Sequence, residues 1–235
     1  MGLHTTDQVL CQWYDFPEFI TCCLLTSRDL KEIGFQEYDF LESFVGISLA
    51  HTAHCLSVLA LYSLARAIFH EGQSTKFAFI TACLHVFSPA GLFLSAPYGE
   101  STFALLSFSG YLLFVKSFDF REQITAHQDL LIVGAGLVLG SATSVRSNGL
   151  LNGLLFLEEA IRTMCSMKNG LTVSVIRRLI ATGIGGVCIA IGFVVPQIIA
   201  FQEFCGKPTL DNLPQRSWCK DTLPSIYGFV QSHYW

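Results

Sequence analysis

The stretch Leu179-Ile-Ala-Thr-Gly-Ile-Gly-Gly-Val-Cys-Ile-Ala-Ile-Gly-Phe-Val-Val-Pro-Gln-Ile-Ile-Ala-Phe-Gln-Glu-Phe204 carries no charged residue before Glu203. Crossing the roughly 30 Å hydrocarbon core of a bilayer takes about 20 helical residues, so this run can span with some tilt. Toward the N-terminus, apolar blocks of comparable kind recur at Leu41–Phe69, Thr75–Ser95, Gly99–Lys116, Asp129–Val145 and Leu150–Met164. The third and fourth are slightly short, and the fifth is shorter still, with Glu158 and Glu159 inside it. The pattern predicts an all-α polytopic transmembrane helix bundle of about six spans over 41–204. An N-terminal segment, 1–40, precedes it, and a cysteine-bearing segment, 205–235, follows.

Composition supports the membrane class. The 235 residues are 51% apolar and 14% charged, with a mean hydropathy of +0.49. An ordinary soluble domain carries about 25% charged residues, so too few charges are present here to clothe a water-facing surface. The 20 phenylalanines suit lipid-facing and helix-packing surfaces. The net charge of −4 is small and scattered, which argues against a nucleic-acid partner. Met1–Phe40 lacks a basic start followed by an apolar run and so does not read as a signal peptide.

Cytoplasmic loops hold an excess of lysine and arginine, and this orients the spans. With Met1–Phe40 on the lumenal side, the cytoplasmic loops contain Arg66, Lys76, Lys116, Arg121, Arg162, Lys168, Arg177 and Arg178. The two tight lumenal turns hold only Arg146, and the lumenal end segments add Arg28, Lys31, Lys207, Arg216 and Lys220. Both ends of the chain are therefore expected to be lumenal.

The unusual residues gather at the lumenal ends. In Ser95-Ala-Pro-Tyr-Gly-Glu-Ser101, Pro97 disfavours helix at Ala96 and is expected to end the second span. Glu100 then opens the third helix, where the helix dipole favours a carboxylate; the alternative is a polar group held at the mouth of the bundle. In Ser144-Val-Arg-Ser-Asn-Gly149, Arg146 sits at the tip of a hydrophobic hairpin. Such an arginine can snorkel to headgroups, or it can bind an anion, and a guanidinium suits a phosphate through paired hydrogen bonds. Tyr98, Glu100, Arg146 and Asn148 are the candidate lining of one lumenal pocket. His233 could hydrogen-bond a substrate or lie inert at the interface. His51 and His54, at i and i+3 in the first span, could be ligands or packing residues.

Cys55, Cys83 and Cys188 lie within spans and read as buried small hydrophobes. Cys205 and Cys219 flank a proline-containing loop on the oxidising side, so a disulfide is expected between them. Closing such a loop contributes about 3 kcal/mol in the loop-entropy model. No C-x-x-C pair with matching histidines points to a metal. The Gly149-x-x-x-Gly153 spacing is a common and weak helix-approach signal.

Three blocks carry a family resemblance: Phe87-Ser-Pro-Ala-Gly-Leu-Phe-Leu-Ser-Ala-Pro-Tyr-Gly-Glu-Ser-Thr-Phe-Ala-Leu-Leu106, Ala142-Thr-Ser-Val-Arg-Ser-Asn-Gly-Leu-Leu-Asn-Gly153 and Arg216-Ser-Trp-Cys-Lys-Asp-Thr-Leu-Pro-Ser-Ile-Tyr-Gly-Phe-Val-Gln-Ser-His-Tyr-Trp235. Together, over roughly residues 41–235, they resemble the GPI mannosyltransferase 2 family. The resemblance implies a GT-C-type polytopic glycosyltransferase of the endoplasmic reticulum membrane with a lumenal active site. It implies transfer of the second mannose, in α-1,6 linkage, from dolichyl phosphate mannose to the GPI-precursor glycolipid. It implies no cofactor beyond that donor substrate, and a small accessory membrane subunit as a partner. The family's first lumenal loop carries a Trp-Asp motif that supplies its acidic residue. Trp13-Tyr-Asp15 has different spacing, so that role is not carried to Asp15 and the catalytic residue is left unassigned. The departure implies an incomplete member, inactive as it stands; the competing class is a non-catalytic membrane subunit or remnant that binds lipid or a partner helix.

The orientation is open to a direct check. A glycosylation sequon placed near Asn212 is expected to be modified in microsomes and one near Asn169 is not; the reverse pattern would overturn the six-span topology.

Overall fold

The computed structural model describes residues 41–205, apart from 70–73, 90, 92–93, 95, 97, 119–124, 168–169 and 171, together with residue 219. The N-terminal segment 1–40 and His233 lie outside the described residues. Among those described the regular structure is helical: α1 (Leu41–Ile68), α2 (Ser74–Val86), α3 (Glu100–Lys116), α4 (Ala126–Val145), α5 (Gly153–Ser166) and α6 (Val173–Cys205), with a 3₁₀ stretch at Ser147–Asn152. Three helices are long and apolar enough to cross a membrane by length and composition: Phe44–Ile68, Ala126–Val145 and Val173–Glu203.

Side-chain and backbone contacts fix the direction of each helix. The α1–α2 pair is antiparallel, since the Phe69 and Phe77 rings lie 5.4 Å apart and Ser57 hydrogen-bonds His85. The α3–α4 pair is also antiparallel, joined by Glu100–Arg146 at one end and by Gly110 against Leu139 farther along. By contrast, α4 and α6 are parallel neighbours. Gly136 meets Gly185, and Gly140 meets the Cys188 carbonyl and Gly192, in the same chain order. Two parallel neighbours need a return crossing between them. The 3₁₀ stretch and α5 supply it, rising together about 33 Å, enough for the hydrocarbon core. So α1, α3 and the 3₁₀–α5 unit run one way, and α2, α4 and α6 the other. The six helices thus alternate in direction; α1, α4 and α6 are by themselves long and apolar enough to cross a membrane, whereas α2 has 13 residues and α5 has 14.

Glycine makes the α4–α6 contact possible. A carbon added at Gly140 would stand 2.5 Å from the Cys188 carbonyl oxygen, and at Gly136 or Gly192 it would strike the facing backbone. With no hydrophobic drive between helices in lipid, such close approach is what association rests on. Around it pack Ile132, Ala135, Leu139, Ala181 and Ile189, all buried. Leu130, Val173, Ile180 and Val187 are exposed and form lipid-facing surface. The Gly149–Gly153 pair plays no such part: Gly149 abuts Thr143 within the 3₁₀ turn, and Gly153 faces open space.

Several boundaries differ from expectation, each for a local reason. The second helix stops at Val86 rather than Ser95, because Pro89 disfavours helix at Ser88. The fourth starts at Ala126, three residues before Asp129, because Thr125 and Gln128 form a capping box: Gln128 N–H donates to Thr125 Oγ1 and Thr125 N–H to Gln128 Oε1. The sixth starts at Val173, so Arg177 and Arg178 belong to its first turns rather than to a loop. Cys55 is exposed rather than buried, while Cys83 and Cys188 are half-buried. His54 packs on His85 of α2, with ring centroids 5.2 Å apart, and His51 is exposed.

The glycine seam yields a paired expectation. Gly140→Val should destabilise the detergent-solubilised bundle by about 1–3 kcal/mol through overpacking, read as a lower thermal midpoint. Gly183→Val, where an added carbon meets nothing within 4 Å, should leave that midpoint unchanged. Equal midpoints for both variants would remove the seam from the stability argument.

Candidate functional site

Arg146 is the single extended residue, at φ −142° and ψ 126°, between the end of α4 and the 3₁₀ stretch. The chain therefore reverses at this residue. Gly99 lets the start of α3 close against the end of α4, since an added carbon there would lie 2.9 Å from Val145 Cγ1. That approach brings Glu100, the first residue of α3, within reach: Arg146 Nη1 donates to Glu100 Oε1 at 2.7 Å. The Phe103 ring lies beneath the guanidinium, 6.0 Å from centroid to Cζ. At the second residue of α3, the buried Ser101 hydroxyl donates to the Leu94 carbonyl and ties the preceding segment to the helix.

The Arg146 side chain is 42% exposed and that of Glu100 32%. A guanidinium has five N–H donors, and among the described residues Glu100 accepts from one nitrogen, which leaves the other donors for an anion arriving from the aqueous side. Tyr98 and Asn148 flank the pair in sequence and are both exposed. Among the described residues neither is hydrogen-bonded to it. Of the predicted pocket residues, the structure thus joins Glu100 and Arg146 directly and leaves Tyr98 and Asn148 exposed nearby in sequence.

Cys205, at the end of α6, is disulfide-bonded to Cys219 with Cα atoms 5.7 Å apart, inside the usual span for such a bond. Because α6 runs parallel to α4, this bond stands at the same end of the bundle as Arg146.

A second polar constellation occupies the opposite end, and sequence reasoning missed it. Arg178 is 3% exposed. Its Nε donates to Glu159 Oε1 of α5 at 2.8 Å, and its Nη2 donates to the Ser117 hydroxyl at 3.2 Å. Its Nη1 donates to the carbonyls of Ser117 and Gln128, both at 3.4 Å, and lies 3.9 Å from Asp129 Oδ1. Arg177 pairs with the other Asp129 oxygen, and Arg162 pairs with Glu159. The Phe118 ring lies against both Arg162 and Arg178, whose Cζ atoms stand 4.8 and 5.0 Å from its centroid. The signal available in sequence was Glu159 inside an apolar run; its partners lie far along the chain.

The family comparison bears on both ends. Residues 17–235 match the family model described as Mannosyltransferase (PIG-V). The chain belongs to this mannosyltransferase family. The match begins ahead of Leu41, where the sequence resemblance was placed. Among similar proteins, GPI mannosyltransferase 2 of Gibberella zeae is 43% identical over 194 residues, covering 83% of this chain and 44% of the relative. The protein of that name from Aspergillus fumigatus is 45% identical over 184 residues, covering 76% of this chain and 41% of the relative. That from Schizosaccharomyces pombe is 31% identical over 222 residues, covering 94% and 41%. The chain spans less than half the length of these relatives. No solved structure matches it. Both constellations fall within the part shared with the family.

Removing one partner of the buried network should cost far more than removing a matched pair. Arg178→Leu is expected to destabilise the bundle by about 3–5 kcal/mol, whereas Arg178→Leu with Glu159→Leu recovers most of that loss. Detergent unfolding midpoints of the two variants provide the check, with equal midpoints as the contrary result.

Proposed function

We propose that this chain forms the donor-phosphate end of an enzyme of the endoplasmic reticulum membrane that builds the GPI anchor. The reaction is transfer of the second mannose, in α-1,6 linkage, from dolichyl phosphate mannose to the GPI-precursor glycolipid in the lumen. The observation that carries this reading is Arg146: an arginine at a hairpin apex, half-exposed, steadied by Glu100 and still holding free donors. Family membership and the relatives' printed name, GPI mannosyltransferase 2, support the reaction class. The positive-inside rule assigns the basic end, with Arg66, Lys116, Arg162 and Arg177, to the cytoplasm and so the Arg146 end to the lumen.

The chemistry follows from the leaving group. An acceptor hydroxyl oxygen attacks the anomeric carbon of mannose, the bond from that carbon to the phosphate oxygen breaks, and dolichyl phosphate departs with the electron pair. Charge grows on the phosphate as the bond breaks, so donors aimed at it stabilise the transition state more than the ground state. Arg146 holds that place in this reading, and a lipid-borne phosphate reaches it at headgroup depth. Glu100 orients the guanidinium rather than acting as base, because its carboxylate is engaged with Arg146. The proton of the acceptor hydroxyl goes to a general base that this chain leaves unassigned.

The test uses a full-length relative carrying Arg146→Lys or Arg146→Ala at the matching position, assayed for mannose transfer in microsomes. Paired hydrogen bonding to a phosphate predicts a loss on the order of 100-fold even for lysine, which keeps the charge but not the planar fork. If lysine restores full transfer and alanine only lowers protein abundance, Arg146 is structural and the phosphate assignment is wrong.

A further inference from the structure

Between α1 and α5, floored by α3 and α4, runs a lateral groove of about 1490 Å³. Its walls are apolar, with Leu64 and Ile68 on one side, Leu155 on the other and Phe114 at the base. Two polar features interrupt it. Deep in the groove, the Tyr111 hydroxyl donates to Asn152 Oδ1 at 2.5 Å. Asn152 is 6% exposed, and its amide Nδ2 has no hydrogen-bond partner among the described residues. At the mouth, on the basic end of the bundle, Lys116 and His127 line the groove and are exposed.

A buried amide donor without an acceptor is costly, by the full desolvation penalty of the group, and an apolar groove at membrane depth does not attract water to relieve it. The occupant that satisfies both features is an amphiphile: anionic at the mouth, carrying a carbonyl oxygen a short way in, and apolar beyond. Along α3, Tyr111 and Lys116 are separated by about 7.5 Å of helix rise, so the amide lies well below the cation. In a glycerophospholipid the ester carbonyls stand a few bonds from the phosphate, in the direction of the chains, which is this spacing. We propose that the groove is a binding site for an anionic glycerophospholipid of the cytoplasmic leaflet. Its phosphate sits at Lys116 and His127, an ester carbonyl accepts from Asn152 Nδ2, and an acyl chain lies along Leu64, Phe114 and Leu155. The site is at the opposite end of the bundle from Arg146 and does not depend on the reaction proposed there.

The experiment reconstitutes the chain in phosphatidylcholine vesicles containing a minor fraction of phosphatidylserine with a diazirine on its acyl chain, and maps photolabelled peptides by mass spectrometry. The lipid-facing surface of α6, at Ile180 and Val187, reports on folding and reconstitution in every sample. In the native chain, label is expected on the groove peptides around 111–116 and 151–155. Relative to α6, Asn152→Leu and Lys116→Ala should each lower groove label about fivefold, the size of one hydrogen bond or ion contact removed. A diazirine diacylglycerol, which lacks the phosphate, should label the groove about fivefold less than the phospholipid. If Asn152→Leu also reduces α6 label, Lys116→Ala, an exposed residue, carries the comparison. Groove label that follows α6 label in every variant and with both probes means ordinary annular lipid and overturns the proposal. Absence of groove label in the native chain means that protein fills the groove, and overturns it equally.

Discussion

A guanidinium removed from water and lipid alike needs its charge and its hydrogens answered on the spot, and Arg178 is answered from α5, α4 and the end of α3. Glu159 of α5 takes the charge, Asp129 and the Gln128 carbonyl of α4 stand alongside, and the hydroxyl and carbonyl of Ser117, just past α3, accept from the two terminal nitrogens. Arg178 itself belongs to α6. Replacing a buried pair of this kind by apolar residues is often neutral in stability, so the network does more to specify an arrangement than to strengthen it. The network ties α4, α5 and α6 and the end of α3 to one another through Arg178. The glycine seam between α4 and α6 then brings the backbones together along the length of the pair, and the parallel sense of that pair obliges α5 to cross between them.

With that end fixed, the far end is positioned by the rigid rise of α3 and α4. These two antiparallel helices carry Glu100 and Arg146 to one level, and Gly99 allows the final approach. The two arginines divide the work by exposure. Arg178 is enclosed and hydrogen-bonded through all three of its nitrogens, as a structural cation should be. Arg146 is half-exposed with one carboxylate on one nitrogen, the condition of a cation that can still accept an anionic ligand.

Much of this was legible in the residues themselves, because the forces involved are local. Uninterrupted apolar length marks the long helices, and an arginine at a hairpin tip against the positive-inside bias marks the Arg146 end. Cys205 and Cys219, spaced to close a loop, are bonded. What escaped was tertiary. Hydropathy stops a span at a charge, so Arg177 and Arg178 read as loop residues until Asp129 and Glu159 are seen facing them. The early end of α2 reflects Pro89, which competed with the equally apolar sequence beyond it. The choice among glycines could not be made from spacing: Gly136, Gly140, Gly185 and Gly192 touch backbone, whereas Gly153 and Gly183 touch nothing.

The order in which these partners appear along the chain has a consequence for biogenesis. Glu159 emerges from the ribosome almost together with Arg162, its neighbour on the same helix face. Asp129 emerges long before the cations it meets, since Arg177 and Arg178 both lie on α6. During synthesis its carboxylate therefore has to wait among the lipid headgroups for the cations it will meet. It can settle into its final place only when α6 arrives. The contacts of Asp129 with Arg177 and Arg178 accordingly form late, after the 3₁₀ stretch, α5 and the start of α6 have been made.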